Sequence, residues 1–218
     1  MKTLSLSVAA MAAVALVSCG PSAEEQQAAR EQAIADSLAM AAGTEHTYTV
    51  DAASSSINWT GNMTGAKVYS HNGTIGLNSG SFTTKGGLLT GGSFEVNMTA
   101  ITPTDNGYAP DGSEQGTKAG LLGHLGSPDF FDVANHPAAK LVITGSTGST
   151  ATADLTLRGK TNSETITDIT ITENADGSAK ATGKLVFDRK KYDVVFPGPA
   201  ADLVLANDIE LTVELTGK

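Results

Sequence analysis

Residues 209–216 read IELTVELT. Ile209, Leu211, Val213 and Leu215 alternate without a break with Glu210, Thr212, Glu214 and Thr216. A period of two places the aliphatic groups on one side of an extended chain and the polar groups on the other. That is a half-buried antiparallel strand with one wet face. The same parity recurs upstream. Phe94, Val96 and Met98 alternate with Glu95 and Asn97, and Ala153, Leu155 and Leu157 with Asp154, Thr156 and Arg158. Ala179, Ala181, Gly183, Leu185 and Phe187 share a face opposite Lys180, Thr182 and Lys184. Tyr48–Val50, Ile57–Thr60, Gly73–Ser81 and Lys140–Thr144 are further strand candidates. Near Thr167 and Asp168 the parity slips, leaving Ile166 out of phase with Ile169 and Ile171, as a β-bulge would require. Gly86-Gly87, Gly91-Gly92 and Ala175-Asp176-Gly177 supply turns between the runs. About eight short strands with little helix predict an all-β barrel or sandwich.

The N-terminus has a different logic. Lys2 precedes a mostly apolar run from Leu4 to Val17, shorter than the roughly 20 residues a membrane span needs. Residues 1–18 therefore read as a signal peptide. The run ends Leu16-Val17-Ser18-Cys19-Gly20, which resembles the lipobox of bacterial lipoproteins and makes Cys19 the expected lipid attachment site. Cys19 is the only cysteine, so no disulfide framework competes with that reading. Gly20 is not the aspartate of an inner-membrane retention signal, so an outer-membrane lipoprotein is expected, on its periplasmic face or at the cell surface, held to the membrane through its N-terminal lipid. Residues 19–45 are rich in Ala, Glu and Gln. They read as a lipidated tether whose Ile34, Leu38 and Ala41 form only a weak helical face. The remaining domain, 46–218, is long enough for one core. A formal charge of −9 with no basic stripe argues against nucleic acid as a partner.

One segment departs from the strand pattern. From Thr117 to Gly126 the sequence places Leu121, Leu122 and Leu125 on one helical face, and Gly126-Ser127-Pro128 stops that helix. Ser127 is suited to cap a new turn with Pro128 at its first position and Asp129 in its first turn. Phe130 and Phe131 then sit on a short helical turn beside a leucine-faced helix. A strand barrel has two open ends, and an apolar insert of this kind is suited to cover one.

These residues carry a resemblance. Tyr48-Thr49-Val50-Asp51 with Ser56-Ile57-Asn58-Trp59, then His71-Asn72-Gly73-Thr74-Ile75 and Gly91-Gly92-Ser93-Phe94, resemble the opening strands of the YceI-like family of lipocalin-like, polyisoprenoid-binding proteins. Gly123-His124-Leu125 with Ser127–Asp132 and His136-Pro137, the strand Ala153–Gly159, and Phe187–Asp193 resemble its later motifs. The resemblance runs in order from about 46 to 217. It implies an eight-stranded antiparallel lipocalin-like barrel with a short helical insert near one end, and a long isoprenoid chain inside it. The segment Val194–Pro199 departs from the glycine-rich segment many members have there.

The site chemistry follows from this frame. His46, His71, His124 and His136 show no metal-ligand spacing, and no G-x-S-x-G elbow is present. No metal, no cofactor and no enzymatic activity are expected. The inward face of 179–187 is small at Ala181 and Gly183 and bulky at Leu185 and Phe187, which favours a cavity. Its other candidate lining residues are Trp59, Phe94 and Met98 on strands, and Leu121, Leu122, Leu125, Phe130 and Phe131 on the insert. His71, His124 and Arg189 are candidates to meet a polar headgroup at the barrel mouth. Two readings stay open at this point. Either the barrel binds a long apolar isoprenoid or fatty lipid as a carrier or sequestering module, or Trp59 or Phe94 fills it. A filled barrel would act through surface contacts as a structural or stress-protective protein.

Overall fold

The computed structural model describes residues 21–65, 68–196 and 203–218. The expected signal peptide 1–18, Cys19 and Gly20 lie outside the described residues, as does the 197–199 part of the divergent rim. Nine strands form one antiparallel sheet: β1 (Glu45–Thr49), β2 (Ser56–Gly65), β3 (Tyr69–Lys85), β4 (Leu88–Pro103), β5 (Ala138–Thr147), β6 (Thr150–Leu157), β7 (Lys160–Glu173), β8 (Ala179–Asp188) and β9 (Leu203–Gly217). Eight of them close a ring in chain order from β2 to β9. β9 pairs back on β2 through Trp59↔Leu211 and Ile57↔Val213. Closure removes the edges an open sheet would expose. β1 stands outside the ring and extends β3 past the start of β2, with Tyr48 opposite Phe82.

The alternating sequence lies in the expected register. Ile209 and Leu215 are buried, while Leu211 and Val213 face in but stay half-buried. The parity slip in β7 is a bulge. The register shifts between Thr167 and Thr170, Asp168 has a positive φ of 55°, and the Ile169 amide leaves the ladder to donate to the Ser149 carbonyl. Below the bulge Ile166 faces in, and above it Ile169 and Ile171 do. One extra residue therefore restores the inward face on both sides.

The two ends of the barrel differ. At the end holding the β3–β4, β5–β6 and β7–β8 hairpins, Tyr48 stacks on Phe82 with centroids 5.1 Å apart. Val50, Leu89, Ala151 and Ala179 pack around them. Gly217 makes this possible, because a Cβ there would come within 2.8 Å of Tyr48 Cβ and 2.9 Å of Phe82 Cε1. This end is closed. Helix α1 (Ala23–Ala42) crosses it. A capping box fixes the start of α1: Ser22 Oγ accepts from the Glu25 amide at 3.2 Å, and the Glu25 carboxylate accepts from the Ser22 amide at 2.6 Å. α1 buries none of its side chains, and Ile34 and Leu38 stay exposed. Its Asp36 approaches Gly148 and its Ala39 approaches Gly86.

Helix α2 (Lys118–Gly126) lies at the opposite end, between β4 and β5. Thr117 caps it through a bond from the Gly120 amide. Ser127 ends this helix and does not cap the next turn: its hydroxyl and amide both donate back to the His124 carbonyl. Residues 128–131 form a hydrogen-bonded turn, closed by the Phe130 amide on the Ser127 carbonyl and the Phe131 amide on the Leu125 carbonyl.

Candidate functional site

The middle of the barrel is open. Trp59, Ile75, Leu77, Val96, Leu141 and Leu211 point inward, yet each is only partly buried. The surface they leave uncovered is the wall of a cavity of about 520 Å³. That size is within the range of small-molecule sites, and the lining is almost wholly apolar. It runs from Phe82 and Leu89 at the closed end to Leu121, Tyr108 and Phe196 at the other. A cavity lined in this way suits an apolar guest.

Two aromatic side chains large enough to fill the lumen are laid back against its wall. Trp59 donates from Nε1 to the Thr74 carbonyl at 3.2 Å, and its ring covers Gly73, where a Cβ would fall 2.8 Å from Cζ2. Phe94 covers Gly80 in the same way, with a Cβ there 2.6 Å from Cδ1. Both glycines lie on β3. The missing side chains are the space the rings occupy, so the rings do not cross the lumen.

Most of the expected lining residues are brought together on this cavity. Trp59, Phe94, Met98, Ala181, Gly183, Leu185 and Phe187 come from the strands, and Leu121, Leu125, Phe130 and Phe131 from the insert. Leu122 is a correction. It is 37% exposed and lies outside the lining. Leu121 and Leu125, four apart, share the narrow stripe that faces the barrel, and Leu122 is turned about 100° away from Leu121.

The insert covers the lumen with aromatic rings. Phe130 is buried, and its ring meets Phe131 edge-on with centroids 4.7 Å apart. His124 lies against Phe130 at 5.3 Å and Phe196 at 4.3 Å. His124 Nε2 is buried with no hydrogen-bond partner among the described residues. Burial lowers the pKa of this imidazole, against an opposing pull from the Asp129 charge, so the ring is held towards its neutral form.

His71 is placed at the same end, in a cluster the sequence reading missed. Its Nδ1 is 2.9 Å from Asp105 Oδ2, and its ring stacks on Tyr108 with centroids 5.1 Å apart. The Tyr108 hydroxyl donates to Asp105 Oδ1 at 2.6 Å. Burial and the neighbouring carboxylate push the Tyr108 hydroxyl well up, so it remains a donor. Asp105 and Tyr108 sit in a polar connection without periodicity, where sequence carries no signal for which side chains converge.

Arg189 is the second correction. It is 1% exposed and does not reach the mouth as a free cation. Its guanidinium donates to the carbonyls of Ala206 at 3.0 Å, Val194 at 2.5 Å and Leu205 at 3.1 Å. The planar fork joins the helical turn Arg189–Tyr192 to the start of β9. Next to it the buried carboxylate of Glu164 accepts from the Tyr192 hydroxyl at 2.8 Å and from Lys191 at 3.3 Å. No group of three or more His, Cys, Asp or Glu side chains among the described residues is placed to hold a metal ion.

Comparison with known proteins bears on this architecture. The family model of the YceI-like domain matches residues 48–217. Among solved structures, BcnA of Burkholderia cenocepacia shares 15% identity at a TM-score of 0.54, over 78% of this chain and 99% of its own. A polyisoprenoid binding domain from Saccharophagus degradans, implicated in plant cell wall breakdown, shares 12% identity at a TM-score of 0.50, over 78% of this chain and 97% of its own. At these identities the likeness is one of fold. No curated protein matches the chain.

Proposed function

The chain belongs to the YceI-like family, and from that premise we propose that it is a binding module, not an enzyme, that takes a long apolar isoprenoid or fatty lipid into its barrel and carries or sequesters it in the cell envelope. The observation that carries this reading is the open lumen, with Trp59 and Phe94 laid against the wall over Gly73 and Gly80. A solved relative described as a polyisoprenoid binding domain supports the ligand class. Burial of apolar surface drives such binding at roughly 25 cal/mol per Å² before ordering costs are subtracted. Organic extraction of the purified protein followed by mass spectrometry tests it, together with titration of Trp59, the only tryptophan, by fluorescence. An extract free of lipid and a tryptophan signal indifferent to added isoprenoid chains would reject it.

The proposal extends to location. Cys19 is the lipid attachment site of an outer-membrane lipoprotein, residues 1–18 are its signal peptide, and residues 19–45 tether the barrel domain 46–218. Support comes from the lipobox-like sequence and from α1, which buries none of its side chains and meets the barrel at its closed end. Membrane fractionation of Cys19→Ala decides it, since a variant that still sediments with membranes is not held by that cysteine.

A further inference from the structure

The buried Nε2 of His124 stands out in an otherwise saturated interior. It is the one buried side-chain nitrogen or oxygen without a hydrogen-bond partner among the described residues. Buried polar groups are almost always paired, and leaving one unpaired is costly. A trapped water is a poor partner here. A buried water makes two to four hydrogen bonds, and the rings packed on His124 are those of Phe130 and Phe196. What remains to satisfy Nε2 is whatever occupies the cavity that His124 lines.

We propose that His124 is the polar recognition point of the lumen, and that the bound chain carries an uncharged oxygen group, a hydroxyl or carbonyl, held by Nε2 beneath the Phe130 and Phe196 rings. This rests on the reading that the lumen holds an apolar chain. The chemistry of the site selects against a charged head. The imidazole is held towards its neutral form by burial, and Asp129 adds negative charge nearby. Arg189, the one cation among the residues expected to meet a headgroup, is committed to three backbone carbonyls. A neutral imidazole nitrogen serves one hydrogen bond. It accepts from a hydroxyl in one tautomer and donates to a carbonyl in the other. His124 is thus a specificity-determining residue, while the hydrocarbon wall supplies affinity.

Three branched isoprenoid probes test this by quenching of Trp59 in the full chain: the hydrocarbon phytane, the alcohol phytol and geranylgeranyl diphosphate. The wild type is expected to bind phytol about tenfold more tightly than phytane, the worth of one buried hydrogen bond against an unsatisfied group. His124→Phe should keep phytane binding and lose the preference for phytol, and His124→Gln, which keeps a hydrogen-bonding end, should recover part of it. Equal binding of phytol and phytane by the wild type overturns the inference while leaving the lumen reading intact. So does a preference that survives in His124→Phe, or a diphosphate that binds more tightly than the alcohol. Failure of all three probes to bind overturns the lumen reading and this inference with it.

Discussion

Arg158 Nη2 donates to the carbonyl of Pro128 at 2.7 Å, tying the turn between β6 and β7 to the turn that carries Phe130 and Phe131. The same guanidinium donates from Nη1 to the Asp193 carbonyl at 2.6 Å. One side chain therefore joins three segments around the covered end of the barrel. A lysine has a single charged nitrogen and cannot span both carbonyls in the same fork. Arg158→Ala should cost about 1–2 kcal/mol, because these bonds are charge-assisted but partly solvated. It should also speed exchange of bound lipid. Arg158→Lys should restore little of either. Thermal melting and a lipid-release time course check this, and unchanged release would show that the turn is held by its aromatic packing alone.

Phe130 and Phe131 should respond unequally. The sequence gives no reason to rank them, but Phe130 is 4% exposed inside the core while Phe131 is only partly buried along the lumen. Phe130→Ala should cost about 3–5 kcal/mol, as truncation of a fully packed ring does. Phe131→Ala should cost less than half of that and act mainly on ligand retention. Denaturant melts of the two variants, with lipid content measured on each, separate the roles. Equal losses of stability would mean that both rings belong to the core.

How much of this was legible in the sequence depends on periodicity. Strands such as β8 and β9 show their inward face directly because every second side chain reports the same environment, and the β7 bulge is visible as a single slip in that parity. Helix α2 is too short and too glycine-rich to report its face as sharply, and by sequence alone Leu122 falls with Leu121 and Leu125. The place of Arg189 is hidden for another reason. A run of Arg-Lys-Lys beside Asp188 reads as exposed cations, and nothing local reveals that the carbonyls of Leu205 and Ala206, at the start of β9, converge with that of nearby Val194 on one guanidinium. The closing of one barrel end by Tyr48 and Phe82, and the seating of Trp59 and Phe94 over glycines, are likewise tertiary facts. They pair residues far apart in the chain.

Asp105 makes the lumen end sensitive to acid. Burial pushes its carboxyl up, but hydrogen bonds from Tyr108, His71 and the Asn72 amide outweigh burial, and its pKa lies below the usual 3.8. The folded state therefore binds the proton less readily than the unfolded chain. The stabilisation is fully present above pH 3.8 and is lost as the pH falls through the depressed value. Asp105→Asn should be less stable than the wild type at neutral pH. The difference should shrink as the pH drops below 3.8. Parallel melts across that range check it, and a gap independent of pH would show that the carboxylate charge contributes nothing.

Gly80 should control the volume of the lumen. A Cβ at this position would sit 2.6 Å from Cδ1 of Phe94 and 3.4 Å from the Ser93 carbonyl oxygen. The backbone of Gly80 is not in the left-handed region, so alanine is conformationally acceptable there. The conflict is with the ring. Phe94 is free to leave the wall only on its lumen side, where space is open. Gly80→Ala should thus keep the barrel folded at an overpacking cost of about 1–3 kcal/mol and reduce bound lipid. Gly73→Ala is a poor substitute for this test, because a Cβ there meets the backbone of Thr102 and Pro103 as well as Trp59. The discriminating partner is Phe94→Leu, which shortens the displaced side chain. In the double variant Gly80→Ala/Phe94→Leu the lumen reopens, and lipid content measured by extraction should recover towards the wild-type amount. If Gly80→Ala alone leaves lipid content unchanged, the seating of Phe94 over Gly80 does not hold the lumen open.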